Sequence, residues 1–195
     1  MKRFLLALVS LAVVTTIGLP ASAGGRYLAP VAAHDGKVFP VARSNWYSVI
    51  NFTNDWHAPR MRYIPSEGRW RQIGVHEGND VFGEPGTPIV SITGGRVEQV
   101  GWTFYSGWRV GVRGDDGRYW FYAHMRRFAP GLSIGSRVEP GTALGEMGNT
   151  GYGNTPGHDN EFIYHLHLGI QEADGRWRNP YPLLKRLYRA AVRGS

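Results

Sequence analysis

From residue 87 onward, apolar and polar positions alternate in short bursts separated by glycine-marked turns. Residues 87–93 (TPIVSIT), 96–101 (RVEQVG), 108–112 (WRVGV) and 118–124 (RYWFYAH) each predict a β-strand. Turn signals separate them at Gly94-Gly95, Ser106-Gly107 and Gly114-Asp115-Asp116-Gly117. Asp116-Gly117, between two β-rich runs, predicts a hairpin. Further strands are expected at 136–139 and 143–147, then a polar Gly-rich loop over 149–160 and a last strand over 162–171. Asn179-Pro180 opens a helix over 181–192, in which Leu183, Leu184, Leu187, Tyr188 and Ala191 share one face. Upstream the pattern is weaker. Residues 24–45 read as a loosely ordered lead-in, Trp46–Ile50 as a first strand, and 54–71 as a long surface loop. Without repeats or linkers, these elements predict a mainly β fold: a compact antiparallel β-sheet domain with a short C-terminal helix.

The N-terminus changes the picture of where the chain works. Lys2 and Arg3 precede an apolar stretch from Phe4 to Leu19, Pro20 ends it, and Ala21-Ser22-Ala23 follows as a small-x-small signature. The stretch is short for a membrane span, which takes about 20 residues. Residues 1–23 are therefore read as a secretory signal peptide, with an uncleaved anchor as the alternative. Residues 24–45 then form an N-terminal extension and 46–195 a single domain, as the length allows. With no cysteine anywhere, a thiol nucleophile, a Cys-ligated zinc and a lipoprotein anchor are excluded. The expected setting is bacterial and extracytoplasmic, secreted or in the cell envelope, with no stable membrane insertion after cleavage.

The net charge of +7 favours anionic surroundings. No run of Lys/Arg marks a nucleic-acid groove, so nucleic acid is not expected as a partner, and a plain solvated basic surface fits equally well. A monomer is the default expectation.

Candidate chemistry sits at the histidines. In His76-Glu77-Gly78-Asn79-Asp80 an imidazole and a carboxylate lie four residues apart and reach one point if the chain turns at Gly78; the pair suits a borderline ion such as zinc. A salt-bridged surface turn is the plainer reading of that segment alone. His165-Leu166-His167 lies within a predicted strand, so both imidazoles project to one face while Leu166 and Leu168 go to the other. Two imidazoles side by side are costly to bury unless they hold a metal or share a proton. His124 ends another strand and adds a fifth group. A catalytic zinc keeps three protein ligands and leaves a position for water, and hydrolysis also needs groups that move protons and stabilise an oxyanion. Spacing leaves open which of His165 and His167 is the ligand.

With these segments in view, the chain resembles the lysostaphin-type zinc endopeptidases of bacterial cell walls, which have the duplicated-hybrid-motif fold. The resemblance runs from about Trp46 to Leu184. It is carried by HEGND (76–80), PGTPIVSITGGRVEQVG (85–101), YAH (122–124), GSRVEPGTALGEMGNTG (135–151) and HLHLGI (165–170). It implies one zinc ion per chain held by His76, Asp80 and His167, with His124 and His165 as catalytic histidines, and peptidoglycan as the partner and substrate. All five positions are filled, unlike in inactive members.

The stretch from Tyr152 to Tyr164 is longer than the resemblance leads one to expect. Its His158, Asp159 and Glu161 read as solvated loop residues, with a groove-lining or zinc-covering role as alternatives. Two other functions stay in view: a catalytically silent wall-binding or hydrolase-activating module, and a cupin-like metal site using both His165 and His167.

Overall fold

The computed structural model describes residues 27–28, 36–44, 50–157 and 162–193. Strands β1 (Tyr27–Leu28) and β2 (Arg43–Ser44) pair with each other. Strands β3 (Pro59–Ile64) and β4 (Arg69–Val75) form a hairpin closed by one 3-10 turn at Pro65–Glu67. The main sheet has nine strands: β5 (Asn79–Phe82), β6 (Pro88–Val90), β7 (Gly95–Thr103), β8 (Gly107–Gly114), β9 (Tyr119–Phe128), β10 (Arg137–Val138), β11 (Ala143–Met147), β12 (His165–Gln171) and β13 (Trp177–Arg178). Helix α1 (Tyr181–Arg193) ends the described chain.

Among the described residues every strand pairing is antiparallel. β7, β8 and β9 follow one another as neighbours, and the β8–β9 turn lies at the predicted Asp116-Gly117, where Gly117 takes φ 80°. The far edge of β9 is divided. Its first half, Tyr119–Ala123, pairs with β12, while Met125–Phe128 pairs with β11. The residue at the division is His124. β12 in turn carries β5 on its other side, in register His165↔Phe82 through Leu168↔Asn79.

Alternation along these strands buries Val110, Val112, Trp120, Tyr122, Leu166 and Leu168 in one core. α1 closes one end of it. Asn179 Oδ1 accepts from the Tyr181 N–H at 2.9 Å as an N-cap ahead of Pro180, and Leu184, Leu187 and Ala191 are buried against the sheet. Phe39 and Phe52 pack on Tyr188 at 5.3 and 5.5 Å.

The mainly β architecture is as expected, with two corrections. Residues 54–71 do not form a long loop, since most of that stretch belongs to the β3–β4 hairpin. The segment after Gly78 is not just a turn but the buried strand β5. The signal-peptide reading and most of the expected strand at 46–50 fall outside the described residues. Among the described residues no helix is long and apolar enough to cross a membrane.

Candidate metal centre

Three side chains with metal-binding lone pairs meet where β5, β12 and the segment before β5 come together. His76 Nε2 lies 2.8 Å from His167 Nδ1 and 3.1 Å from Asp80 Oδ1, and His167 Nδ1 lies 3.0 Å from the same oxygen. Register explains the convergence, because His167 is the direct cross-strand partner of Asp80. The bend at Gly78 then brings His76 over the pair. Gly78 has to be glycine here: a Cβ would sit 2.4 Å from His167 Cε1 and 2.7 Å from the Leu168 carbonyl oxygen.

Each of these three atoms can present a lone pair, and lone pairs this close need a shared proton or a metal cation between them. Zinc bonds of about 2.0–2.2 Å in a tetrahedron place donor atoms roughly 3.3 Å apart, close to the spacing seen. The residues therefore fit a zinc ion, and His76, Asp80 and His167 are the group of described residues able to hold one.

The backbone of Asp55 and its carboxylate fix this arrangement. His76 Nδ1 stands 3.2 Å from both the Asp55 carbonyl oxygen and Oδ2; both accept, so Nδ1–H donates and the Nε2 lone pair faces the centre. The same carboxylate accepts from the Asp80 N–H at 3.3 Å. Burial opposes charge on His76, yet the hydrogen bonds of Asp55 and Asp80 outweigh it and raise the imidazole to about 9. Burial also pushes the Asp80 carboxyl up, and His167 and His76 reverse that, holding it well below the usual carboxylate range. His167 is lowered by burial.

The other two histidines flank the centre with matching tautomers. His165 Nδ1 is 2.7 Å from the Ile163 carbonyl oxygen, and His124 Nδ1 is 2.6 Å from that of Thr150. In both, Nδ1–H must donate and Nε2 keeps its lone pair. Their rings lie 4.7 Å apart, and His165 Nε2 is 3.8 Å from Asp80 Oδ1. His124 reaches this position through strain. It sits at φ 62° in a bulge where the β8–β9 register slips between Trp108↔Met125 and Val110↔Tyr122. Burial first, then the neighbouring His165 and His167, lower its pKa to about 3 and keep it neutral. Phe162 packs at 5.4 Å from each ring, and Tyr152 stacks 6.3 Å from His124.

All five residues singled out from the sequence are thus brought to one place. His165 is turned toward Ile163 and stands beside the three-atom cluster, an arrangement unlike a cupin-type pair. His158, Asp159 and Glu161 lie outside the described residues. Two participants were not singled out from the sequence. Asp55 lies 21 residues before His76 in a stretch read as loop, and Arg60, whose Nη2 is 3.7 Å from Asp80 Oδ2, follows in β3. Nothing in their spacing signals the site; only the fold joins them to it.

Known proteins resemble this chain in both sequence and fold. Residues 74–180 match peptidase family M23. Over 114 residues the chain is 42% identical to the L-Ala--D-Glu endopeptidase of Bacillus subtilis (strain 168), a match covering 57% of this chain and 35% of that protein. The chain thus spans about a third of the length of this curated relative. Among solved structures, lytM from Ruminococcus gnavus ATCC 29149 superposes with a TM-score of 0.67 at 36% identity, covering 82% of this chain and 63% of that one. The catalytic domain of the antimicrobial peptidase lysostaphin from Staphylococcus simulans superposes with a TM-score of 0.52 at 25% identity, covering 70% and 92%.

Proposed function

The chain belongs to peptidase family M23, and from that premise we propose that it is an extracytoplasmic endopeptidase that hydrolyses peptide bonds in bacterial peptidoglycan. The observation carrying this reading is the convergence of His76 Nε2, Asp80 Oδ1 and His167 Nδ1, with the Nε2 atoms of His165 and His124 left free beside them. We assign the first three as ligands of one zinc ion per chain and the last two as catalytic. Bound there, the ion supplies Lewis-acid polarisation of the scissile carbonyl and a lower pKa for the attacking water.

The chain's own residues supply the rest. His165, held by Ile163, offers Nε2 as the acceptor of the water proton. Once protonated there, it is the donor to the departing amine. His124 is a neutral imidazole whose Nδ1–H is held by Thr150, so its Nε2 accepts a hydrogen bond beside His165 and orients the attacking water. Phe162 and Tyr152 shield the pair from bulk water. Secretion through the segment 1–23 and action as a monomer complete the proposal.

The test is metal content and amine release from purified peptidoglycan, for residues 24–195 and for His165→Ala. One zinc per chain in both, with amine release lowered about 10²–10⁴-fold in the variant, is the expected result. Zinc uptake with no release from any wall by the unmutated protein points instead to a silent wall-binding or hydrolase-activating module.

A further inference from the structure

The β3–β4 hairpin grows out of the metal centre. Backbone hydrogen bonds of 2.9 Å, from the His57 N–H to the His76 carbonyl and from the His76 N–H to the Ala58 carbonyl, pin its base to the proposed ligand itself. Beyond that base, β4 is exposed along its whole length. Alternation along β3 places Arg60 and Arg62 on one face, and the register sets Arg71 opposite Arg62 and Arg69 opposite Ile64 on the same face. Glu67 engages Arg69 and Arg71 at 2.8 and 2.7 Å. Arg60 is left with a single described ionic contact, to Asp80 Oδ2 at 3.7 Å, longer than a hydrogen bond, and its side chain stays 38% exposed.

This position needs a reason. A guanidinium beside a site built for a divalent cation repels that cation. Its five N–H donors form a fork matched to a carboxylate, yet no acceptor among the described residues lies within hydrogen-bond distance. A negative charge arriving with the substrate resolves both problems. Resting on the peptidase reading above, we propose that Arg60 binds a free carboxylate of the substrate within about one or two residues of the bond to be cut, selecting acidic stem peptides over glycyl bridges. A glutamyl residue linked through its side chain keeps such a carboxylate, whereas a run of glycines has none. Arg62 extends the same basic edge outward.

The experiment uses two soluble stem peptides that differ only in having this carboxylate or its carboxamide. They are offered to the zinc-loaded protein, to Arg60→Gln and to Arg60→Lys, with metal content measured throughout. The expected result is a preference for the carboxylate peptide of about 10- to 100-fold in kcat/KM. Arg60→Gln should lose that preference by slowing only the carboxylate peptide, and Arg60→Lys should keep part of it. Calorimetric binding of both peptides to zinc-loaded His165→Ala should show the same ratio in Kd. Equal cleavage and equal binding of the two peptides overturn the role of Arg60 and leave the peptidase reading intact. Tighter binding of the carboxylate peptide with neither peptide cut by the unmutated protein overturns the peptidase reading and leaves Arg60 as the carboxylate site. If Arg60→Gln loses zinc, the ratio in the unmutated protein and in Arg60→Lys decides.

Discussion

Asp55 holds two of the three proposed ligands at once, accepting from His76 Nδ1–H and from the Asp80 backbone N–H. It also helps to raise His76 to about 9 against the effect of burial. The same Nε2 lone pair takes either a proton or an ion, so metal uptake weakens as pH falls below that value. Replacing Asp55 by Ala has two consequences. Zinc affinity should fall about 10- to 100-fold, as is usual when a residue orienting a ligand is lost. The pH below which protons displace the metal should also move down, because burial is then less opposed and His76 holds its proton less well. Zinc affinity measured by chelator competition between pH 5.5 and 9 checks both. A fall in affinity with an unmoved pH profile would mean that Asp55 only packs.

The elements differ in how openly the sequence shows them. β7, β8 and β9 alternate apolar and polar residues because each has one face on the core, and β12 puts Leu166 and Leu168 inside and both histidines toward the site, as period-two spacing requires. The β3–β4 hairpin escaped because it buries almost nothing. Without a buried face there is no alternation to read, and its Pro and Gly look like loop signals. β5 escaped for the opposite reason. It is a short strand buried on both faces that carries the polar Asn79 and Asp80, the latter kept there by the site. The bulge at His124 is equally silent, since an unusual φ leaves no trace in a hydrophobic pattern. The joint between these elements is Gly78, where the His167 ring lies against bare backbone. Gly78→Ala should push that ring off the three-atom cluster and abolish stoichiometric zinc binding, at a stability cost of roughly 1–3 kcal/mol. Metal analysis alongside a thermal melt separates the two effects; retained zinc would show that β5 and β12 can part without loss of the site.

Across the whole molecule, the site and the closing helix lie at opposite ends of β12. His165 opens the strand, whereas Ile170, near its end, lines one surface cleft with Leu183 and Leu187 of α1. Three residues of strand set roughly 10 Å between Ile170 and the proposed ligand His167. Effects at that separation are expected to add independently. Leu187→Ala, at a fully buried position, should therefore cost about 2–5 kcal/mol through the cavity it leaves, lowering the melting temperature by roughly 5–15 °C. Zinc stoichiometry and kcat/KM on a soluble peptide, measured well below the melt, should stay within about twofold of the unmutated protein. The contrast with Gly78→Ala is the point. One substitution should remove the metal at modest cost to the fold, and the other should weaken the fold and spare the metal. A Leu187→Ala protein that remains folded but loses zinc would mean that the helix holds the ligands in place through β12, making the sheet a mechanical link rather than a passive scaffold.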